Sequence, residues 1–314
     1  MDSSELQKLA ERSRSMREGG IALLFASSIL ALFLLVSHAT TRSVTSIAVA
    51  NPIAPDAFAH ISLDAKAAIV YDLSTGKTLY AKNAEVQLPL ASLTKLLTIY
   101  AAFAELSPQT PVTIPKDVTH LDAPHAFSAG QVFSLADLAR LTLTASLNDG
   151  AAAIAEAVAV REKQPETAML ASAASALDLS QTYAVNGNGL DVNTSVSGGY
   201  GSAHDIARLA GALVAEAPTI AAATTQGTAS AASRDGTQFT VKNTDPMVST
   251  IPHLLLSKTG YTDLAGGNLA LVFDAGIEHP VAVVVLGSSE KERFTDGIAL
   301  VAATLAHFAG VPSL

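Results

Sequence analysis

The sequence predicts an α+β fold in which a mainly antiparallel sheet is flanked by helices and carries an inserted helical subdomain. Three observations support this prediction. Apolar and polar residues alternate in two short runs near residue 70, helical periodicity dominates the middle of the chain, and strand-like apolar runs return after residue 238. Two strands, then helices, then three strands and a final helix are typical of a single α+β domain.

The individual elements follow from local signals. A hairpin is expected from residues 67–71 through the turn at 74–76 to a returning strand at 77–81. Pro89 is expected to open a helix that runs to residue 106, because a missing N–H costs nothing in the first helical turn. The other expected helices are 134–160 (broken near 147–150), 166–177, 203–216 and 294–308, and the other expected strands are 238–243, 268–274 and 280–286. The last of these strands is almost continuously apolar, which predicts a central position in the sheet.

The composition excludes several classes of function. The chain has 314 residues, of which 49% are hydrophobic and 15% charged, so it is not a disordered chain. A formal net charge of −9 argues against a general nucleic-acid-binding protein, which needs a basic face. The absence of cysteine excludes disulfides, thiolate metal sites and a cysteine nucleophile. The eight histidines show no HxxxH or HxxEH spacing, so we expect no metal and no other cofactor.

The N-terminal region indicates where the protein is located. Residues 21–38 form an uncharged, mostly apolar run, about 27 Å long as a helix, which is close to the thickness of a bilayer's hydrocarbon core. We expect a signal anchor or a signal peptide here, preceded by a cytoplasmic segment at 1–20 with four basic side chains. The terminal position of the run disfavours the alternative of a buried core helix. Residues 39–60 are expected to be a linker, and residues 61–314 an extracytoplasmic domain that 21–38 attaches to the membrane.

Because cysteine is absent, hydroxyl groups are the candidate nucleophiles, and a hydroxyl needs a base. A lysine three residues after a serine lies on the same helix face, and Ser-x-x-Lys occurs three times, at Ser74, Ser92 and Ser288. The first lies in the predicted hairpin turn and the third in a polar run, so both are expected on the solvated surface. Ser92 and Lys95 lie in an otherwise apolar helix, where burial lowers a lysine pKa toward 7. The alternative is a lysine that snorkels to solvent.

Two further clusters favour catalysis. Ser146 and Asn148 fall at a break between predicted helices, where a hydroxyl and an amide can project into a cleft, although helix caps show the same pattern. Lys258-Thr259-Gly260 follows an apolar strand, and a lysine and a hydroxyl beside accessible backbone N–H groups can hold a carboxylate. Composition predicts Lys-Thr-Gly about 0.05 times in such a chain, and all three motifs in this order about once in a hundred chains.

The three motifs resemble those of the penicillin-recognising serine enzymes, and in particular the serine D-alanyl-D-alanine carboxypeptidases, or low-molecular-mass penicillin-binding proteins. The resemblance extends from about residue 65 to residue 308 and includes the segments SLNDGAAAIAEAVA, GSAHDIARLA and SKTGYTDLAGGNLA. It implies a β-lactamase/transpeptidase-like fold. It also implies cleavage of the terminal D-Ala–D-Ala bond of peptidoglycan stem peptides in cell-wall maturation, with β-lactams as inhibitors.

The resemblance further implies how the reaction proceeds. Ser92 would attack the carbonyl carbon of the scissile bond, with Lys95 as its general base. Ser146 would relay a proton toward the leaving amine, and Lys258 would tune that hydroxyl electrostatically. The backbone N–H groups of Ser92 and Tyr261 would form the oxyanion hole.

The substrate-binding residues that the resemblance implies are Asn148, Lys258, Thr259 and Gly260. Asn148 would bond the peptide amide of the substrate. Thr259, with Lys258 nearby, would bind the carboxylate of the departing D-alanine, next to Gly260.

Two positions depart from the family pattern, which has glycine where this chain has Leu147 and Leu256. Three alternative functions stay open. An endopeptidase that cuts D-alanine crosslinks carries the same motifs. A class A β-lactamase also shares them, but the Glu-x-x-Leu-Asn sequence of that class is missing from the stretch after the second motif. A non-catalytic wall-binding module would keep the fold without needing intact motif residues.

Overall fold

The computed structural model describes residues 56–311. The predicted cytoplasmic segment at 1–20 and the predicted anchor or signal peptide at 21–38 lie outside the described residues, as does most of the predicted linker. Within residues 56–311, no helix combines the length and the apolar character that a membrane crossing requires. Ala57 and Phe58 are already buried, so the packed body starts before the expected boundary at residue 61.

The described chain contains twelve strands, seven helices and two 3-10 turns. Strands β1 to β12 are Ala67–Asp72, Lys77–Lys82, Leu88–Pro89, Pro111–Thr113, Val132–Ser134, Tyr183–Ala184, Gly199–Gly201, Thr228–Ala232, Gln238–Lys242, Leu254–Thr262, Gly266–Asp274 and Pro280–Ser288. Helices α1 to α7 are Thr94–Glu105, Leu135–Ala145, Asn148–Glu162, Glu166–Ala176, Ala203–Glu216, Pro218–Ala223 and Glu292–Ala309. The 3-10 turns are Ala91–Leu93 and Asp117–His120.

The main sheet has five antiparallel strands in the order β10-β11-β12-β1-β2. The apolar strand β12 is central, as predicted, and pairs with β1 through contacts such as Ile69 opposite Val284. Successive side chains of a strand point to opposite faces. Val284 joins the core shared with the helical middle of the chain, whereas Val283 joins a second core that includes Leu300 of α7. Both faces of β12 are therefore covered, which explains its continuous apolar sequence.

The helical subdomain lies between β2 and β10 in the chain, as predicted. Its centre is α1, in which every residue from Thr94 to Ala102 is buried. A helix that is covered all round leaves no path by which a long polar side chain in its first turns can reach water. Three small sheets, β3-β7-β6, β4-β5 and β8-β9, are formed by short strands that precede, separate or follow these helices in the chain.

Two expectations about local structure were wrong. Pro89 does not open the helix: it pairs with Tyr200 in a short strand, and its carbonyl accepts a hydrogen bond from Asn268 at 3.0 Å. The helix starts only after the 3-10 turn, because tertiary pairing overrides the local preference of proline. Ser288 is not on the solvated surface: it ends β12, is buried, and donates to Asp296 at 2.8 Å.

Candidate active site

The three sequence motifs meet at one site, formed by the start of α1, the junction between α2 and α3, and strand β10. Lys95 Nζ lies 2.7 Å from Ser92 Oγ and 2.8 Å from Asn148 Oδ1. Lys258 Nζ lies 2.8 Å from Ser146 Oγ. Each hydroxyl is thus in contact with one amine, and both amines belong to fully buried side chains.

The turn before α1 presents the first hydroxyl. Ala91 has φ +48°, in the left-handed region that residues with a Cβ rarely adopt, and it begins the 3-10 turn that contains Ser92. Ser92 is half-buried, whereas Ala91 and Leu93 on either side are buried. The tight turn therefore directs the serine out of the core while its neighbours stay in it.

Lys95 has the surroundings of a general base. Its amine contacts Ser92 Oγ, Asn148 Oδ1 and the backbone carbonyl of Asn188, the last at 2.6 Å. Burial lowers the pKa of Lys95 from 10.5 to about 7, although the negative charge of Asp149 opposes this change. A neutral amine has two N–H groups and one lone pair. Because the two amide oxygens can only accept, they take both N–H groups and leave the lone pair facing the Ser92 hydroxyl.

Asn148 connects the base to the neighbouring loop. Its Nδ2 donates to the carbonyl of Asp122 at 2.8 Å, while its Oδ1 accepts from Lys95. The adjacent Asp149 accepts from the N–H groups of Ala126 and Phe127, both at 2.8 Å, and so holds the same loop. Both ends of the Asn148 side chain are therefore engaged within the protein, although one N–H and one lone pair of this amide remain for a ligand.

The second hydroxyl–amine pair lies at the junction of α2 and α3. Ser146 caps α2 in the left-handed conformation, with φ +60°, and its Oγ accepts from Lys258. Lys258 also donates to the carbonyl of Thr259 at 2.6 Å. Burial, together with the positive charges of Lys95 and Arg293, holds the pKa of Lys258 well below its ordinary value. This direction favours the neutral amine, so the pair can exchange a proton more readily than an exposed lysine and serine would.

Strand β10 packs directly against the turn that carries the nucleophile. A Cβ atom at Gly260 would lie 2.9 Å from the Leu90 carbonyl oxygen and 3.2 Å from the Ser92 nitrogen. Only glycine permits this approach. The Ser92 N–H therefore lies next to Gly260, the residue that precedes Tyr261 on the strand. The hydroxyl of Thr259 bonds that of Thr244 at 2.6 Å.

Sequence reasoning missed two residues of the site, Asn188 and Arg293. Arg293 is buried and donates to the carbonyl of Gly260 at 2.8 Å, while its Nε has no hydrogen-bond partner among residues 56–311. It therefore supports β10 and adds a positive charge beside Lys258. Neither residue stands at a recognisable spacing from the three motifs: Asn188 lies in the segment NGNGLD and Arg293 in SSEKERF.

The two departures from the family pattern lie in the core. Leu147 and Leu256 are both buried in the apolar cluster shared with the helical subdomain. Leu147 has φ −66°, so its backbone does not require glycine. The other two Ser-x-x-Lys occurrences are not part of this constellation: Ser74 is exposed in the hairpin turn, as predicted, and Ser288 bonds Asp296. Among residues 56–311, no three His, Asp or Glu side chains are grouped so that they can hold a metal ion.

Comparisons with known proteins agree with this geometry. The family model described as D-alanyl-D-alanine carboxypeptidase matches residues 52–290. The D-alanyl-D-alanine carboxypeptidase DacD of Salmonella typhimurium is 30% identical over 245 residues, which cover 74% of this chain and 60% of that protein. The D-alanyl-D-alanine endopeptidase of Pseudomonas aeruginosa is 30% identical over 243 residues, which cover 74% of each protein. The chain thus spans about three fifths of the length of the carboxypeptidase and about three quarters of that of the endopeptidase.

A solved structure shows the same fold. Penicillin-binding protein D2 of Listeria monocytogenes, in its ampicillin-bound form, superposes with a TM-score of 0.66 and 26% identity, covering 78% of this chain and 98% of that one. This likeness confirms the predicted β-lactamase/transpeptidase-like α+β fold. Together with the family match, it leads to one conclusion: this chain belongs to the D-alanyl-D-alanine carboxypeptidase family of penicillin-binding proteins.

Proposed function

We propose that the protein is a serine D-alanyl-D-alanine carboxypeptidase that removes the terminal D-alanine from peptidoglycan stem peptides through an acyl-enzyme. The observation that carries this proposal is the contact between Lys95 Nζ and Ser92 Oγ, in which a fully buried amine faces a half-buried hydroxyl. A base with a pKa of about 7 accepts a proton from a hydroxyl at neutral pH without a metal or a histidine.

In acylation, Lys95 takes the proton of Ser92 as Oγ attacks the carbonyl carbon of the D-Ala–D-Ala bond. The N–H groups of Ser92 and Tyr261 stabilise the tetrahedral oxyanion. Ser146, in contact with Lys258, passes a proton to the nitrogen of the leaving D-alanine as the C–N bond breaks. The proton that Lys95 took from Ser92 replaces the one that Ser146 gave up, so Lys95 is neutral again before deacylation. Water then attacks the ester, Lys95 takes a proton from the water and returns it to Ser92 Oγ as the C–O bond breaks, and Ser92 is regenerated.

The carboxylate of the departing D-alanine is the group that the β10 side of the site recognises. Thr259 supplies a hydroxyl, the amine of Lys258 contacts the Thr259 carbonyl, and Arg293 supplies a positive charge at the same strand. Gly260 carries no side chain, so this strand can lie against the turn that carries Ser92. Asn148 bonds the peptide amide of the substrate, because its side chain keeps one N–H and one lone pair beyond the bonds to Asp122 and Lys95.

β-Lactams are the expected inhibitors, since they present a strained amide to the same serine. The similar Listeria protein was solved in an ampicillin-bound form, which supports this part of the proposal. The substrate lies outside the cytoplasm, so we propose an extracytoplasmic location, with residues 21–38 as the membrane attachment or the export signal.

Intact-mass analysis of the full chain incubated with penicillin tests this proposal. We expect a persistent adduct on the wild type and none on Ser92→Ala. Ser74→Ala is a matched control, because Ser74 also precedes a lysine by three residues but is exposed, and it should be acylated like the wild type. An adduct on Ser92→Ala, or an unmodified wild type with intact drug, would refute the assignment. Consumption of the drug without an adduct would indicate a β-lactamase.

Endopeptidase action on D-alanine crosslinks is the second candidate, and the similar Pseudomonas aeruginosa endopeptidase favours it. Both reactions use the same acylation step and differ in the group that leaves. Purified crosslinked muropeptides and uncrosslinked pentapeptides, supplied together, separate the two. We expect faster release of D-alanine from the pentapeptide, and faster loss of the crosslinked dimer would reverse the order of the two candidates.

A further inference from the structure

The loop at residues 186–189 supplies one of the two acceptors that orient the base. The carbonyl of Asn188 accepts from Lys95 Nζ at 2.6 Å. Within the loop, the N–H of Gly189 donates to Asn186 Oδ1 at 2.8 Å, which closes a tight turn. The position of the Asn188 carbonyl therefore depends on what holds this loop against the helices.

Gly187 is the point at which the loop is attached. Its N–H donates to Glu166 Oε1 at 2.5 Å, and its carbonyl accepts from Thr98 Oγ1 at 2.7 Å. A Cβ atom on Gly187 would lie 2.7 Å from Ala155 Cβ and 2.8 Å from Glu166 Oε1. The residue next to the Asn188 carbonyl is thus held by side chains from α4 and α1 and packed against α3, with no free space around it.

We propose that Glu166 is a positioning residue for the catalytic base: by accepting the Gly187 N–H, it keeps the Asn188 carbonyl on Lys95, so that the lone pair of the neutral amine faces Ser92. This inference rests on the proposed function. A neutral Lys95 has two N–H groups, and Asn148 and Asn188 take one each. When the Asn188 carbonyl moves away, one N–H loses its acceptor and the lone pair no longer has a single direction.

The charges around these groups define what a pH profile reports. Asp149 on α3 and Lys258 on β10 face Lys95, and Glu156 on α3 faces Glu166. The loop itself carries no titratable side chain. Burial raises the pKa of Glu166, and Glu156 adds to this, while the Gly187 N–H opposes it. A neutral carboxyl or a carboxamide still offers an acceptor oxygen, so a glutamine is expected to hold the loop.

The experiment measures the rate constant for acylation of the full chain by a fluorescent penicillin between pH 5 and 9. For the wild type, we expect the rate to rise through about pH 7, as Lys95 loses its proton. Glu166→Ala should lower the plateau at least about tenfold and move the midpoint to lower pH, because the ammonium loses an acceptor that stabilises it. Glu166→Gln should stay within about threefold of the wild type, with an unchanged midpoint. Glu156→Gln is the control, since it removes a nearby exposed charge but no bond to the loop.

The outcomes separate this inference from the proposed function. If penicillin does not acylate the wild type, both the proposed function and the positioning role of Glu166 are wrong. If a folded Glu166→Ala variant has the pH profile of the wild type, or a lower rate with the same midpoint, only the positioning role of Glu166 is wrong. Loss of rate in Glu166→Gln as large as in Glu166→Ala also contradicts it, because charge and not position would then be responsible. If Glu166→Ala does not fold, the nearly isosteric Thr98→Val removes the second attachment of Gly187 instead. This variant must lower both the plateau rate of acylation and the midpoint pH for the inference to stand.

Discussion

Replacing Lys95 by methionine should flatten the pH dependence of the protein's stability. Methionine keeps most of the side-chain volume but cannot take up a proton. In the folded protein, burial lowers the pKa of Lys95 from 10.5 to about 7. Between these two pH values the unfolded chain binds a proton that the folded chain does not. The free energy of unfolding of the wild type therefore rises with pH across this range, and this contribution disappears in Lys95→Met.

The size of the effect follows from the two pKa values. One pH unit corresponds to about 1.36 kcal/mol, so the whole difference amounts to about 5 kcal/mol. Because the lysine is half-protonated near pH 7 and the unfolded chain is still partly protonated at pH 10, about 3 to 4 kcal/mol of it develops between pH 7 and pH 10.

Urea unfolding at pH 7, 8, 9 and 10, followed by circular dichroism, measures this difference. The wild type should gain about 3 to 4 kcal/mol more than Lys95→Met over this range. Lys77→Met is the matched control, because Lys77 also follows a serine by three residues but is exposed, and it should parallel the wild type. Parallel curves for the wild type and Lys95→Met would show that Lys95 is charged in the folded protein. Lys95 would then not be a neutral base in the folded protein.

Three further predictions concern the surroundings of the base. Asp149→Asn removes a charge that raises the pKa of Lys95, so the rise of the penicillin acylation rate with pH should move to lower pH. A rise at the same or a higher pH would contradict this. Gly260→Ala adds a Cβ atom 2.9 Å from the Leu90 carbonyl oxygen, so the rate of acylation should fall at least about tenfold with little change in melting temperature. Acylation at the wild-type rate would show that β10 can move away from the turn. Leu147→Gly empties a buried position and should lower the free energy of unfolding in urea by about 3 to 5 kcal/mol. The folded variant should be acylated at the wild-type rate, and a faster rate would mean that the leucine restricts the site.

Local sequence signals predicted six of the seven helices and the longer strands, but not the short strands β3 to β7. The hairpin of β1 and β2, helices α2 to α5 and α7, and the central strand β12 lie within a few residues of their expected bounds. Each has a regular apolar period or a recognisable cap or turn. Strand β8 was missed, because its residues Thr228–Ala232 are small and lack an alternating pattern; it is defined by its pairing with β9.

The sequence by itself determined the family, the fold class and the motif residues, because spacings such as Ser-x-x-Lys and tripeptides such as Lys-Thr-Gly are local properties of a chain. Only the tertiary structure decided that Lys95 is buried and does not snorkel to solvent, since burial depends on the helices that surround α1. It alone brought Asn188 and Arg293 to the site, the first 93 residues from Lys95 and the second 33 from Gly260 along the chain. The pKa of a lysine and the direction of its lone pair depend on packing and on acceptors supplied by distant segments, so no local pattern in the sequence records them.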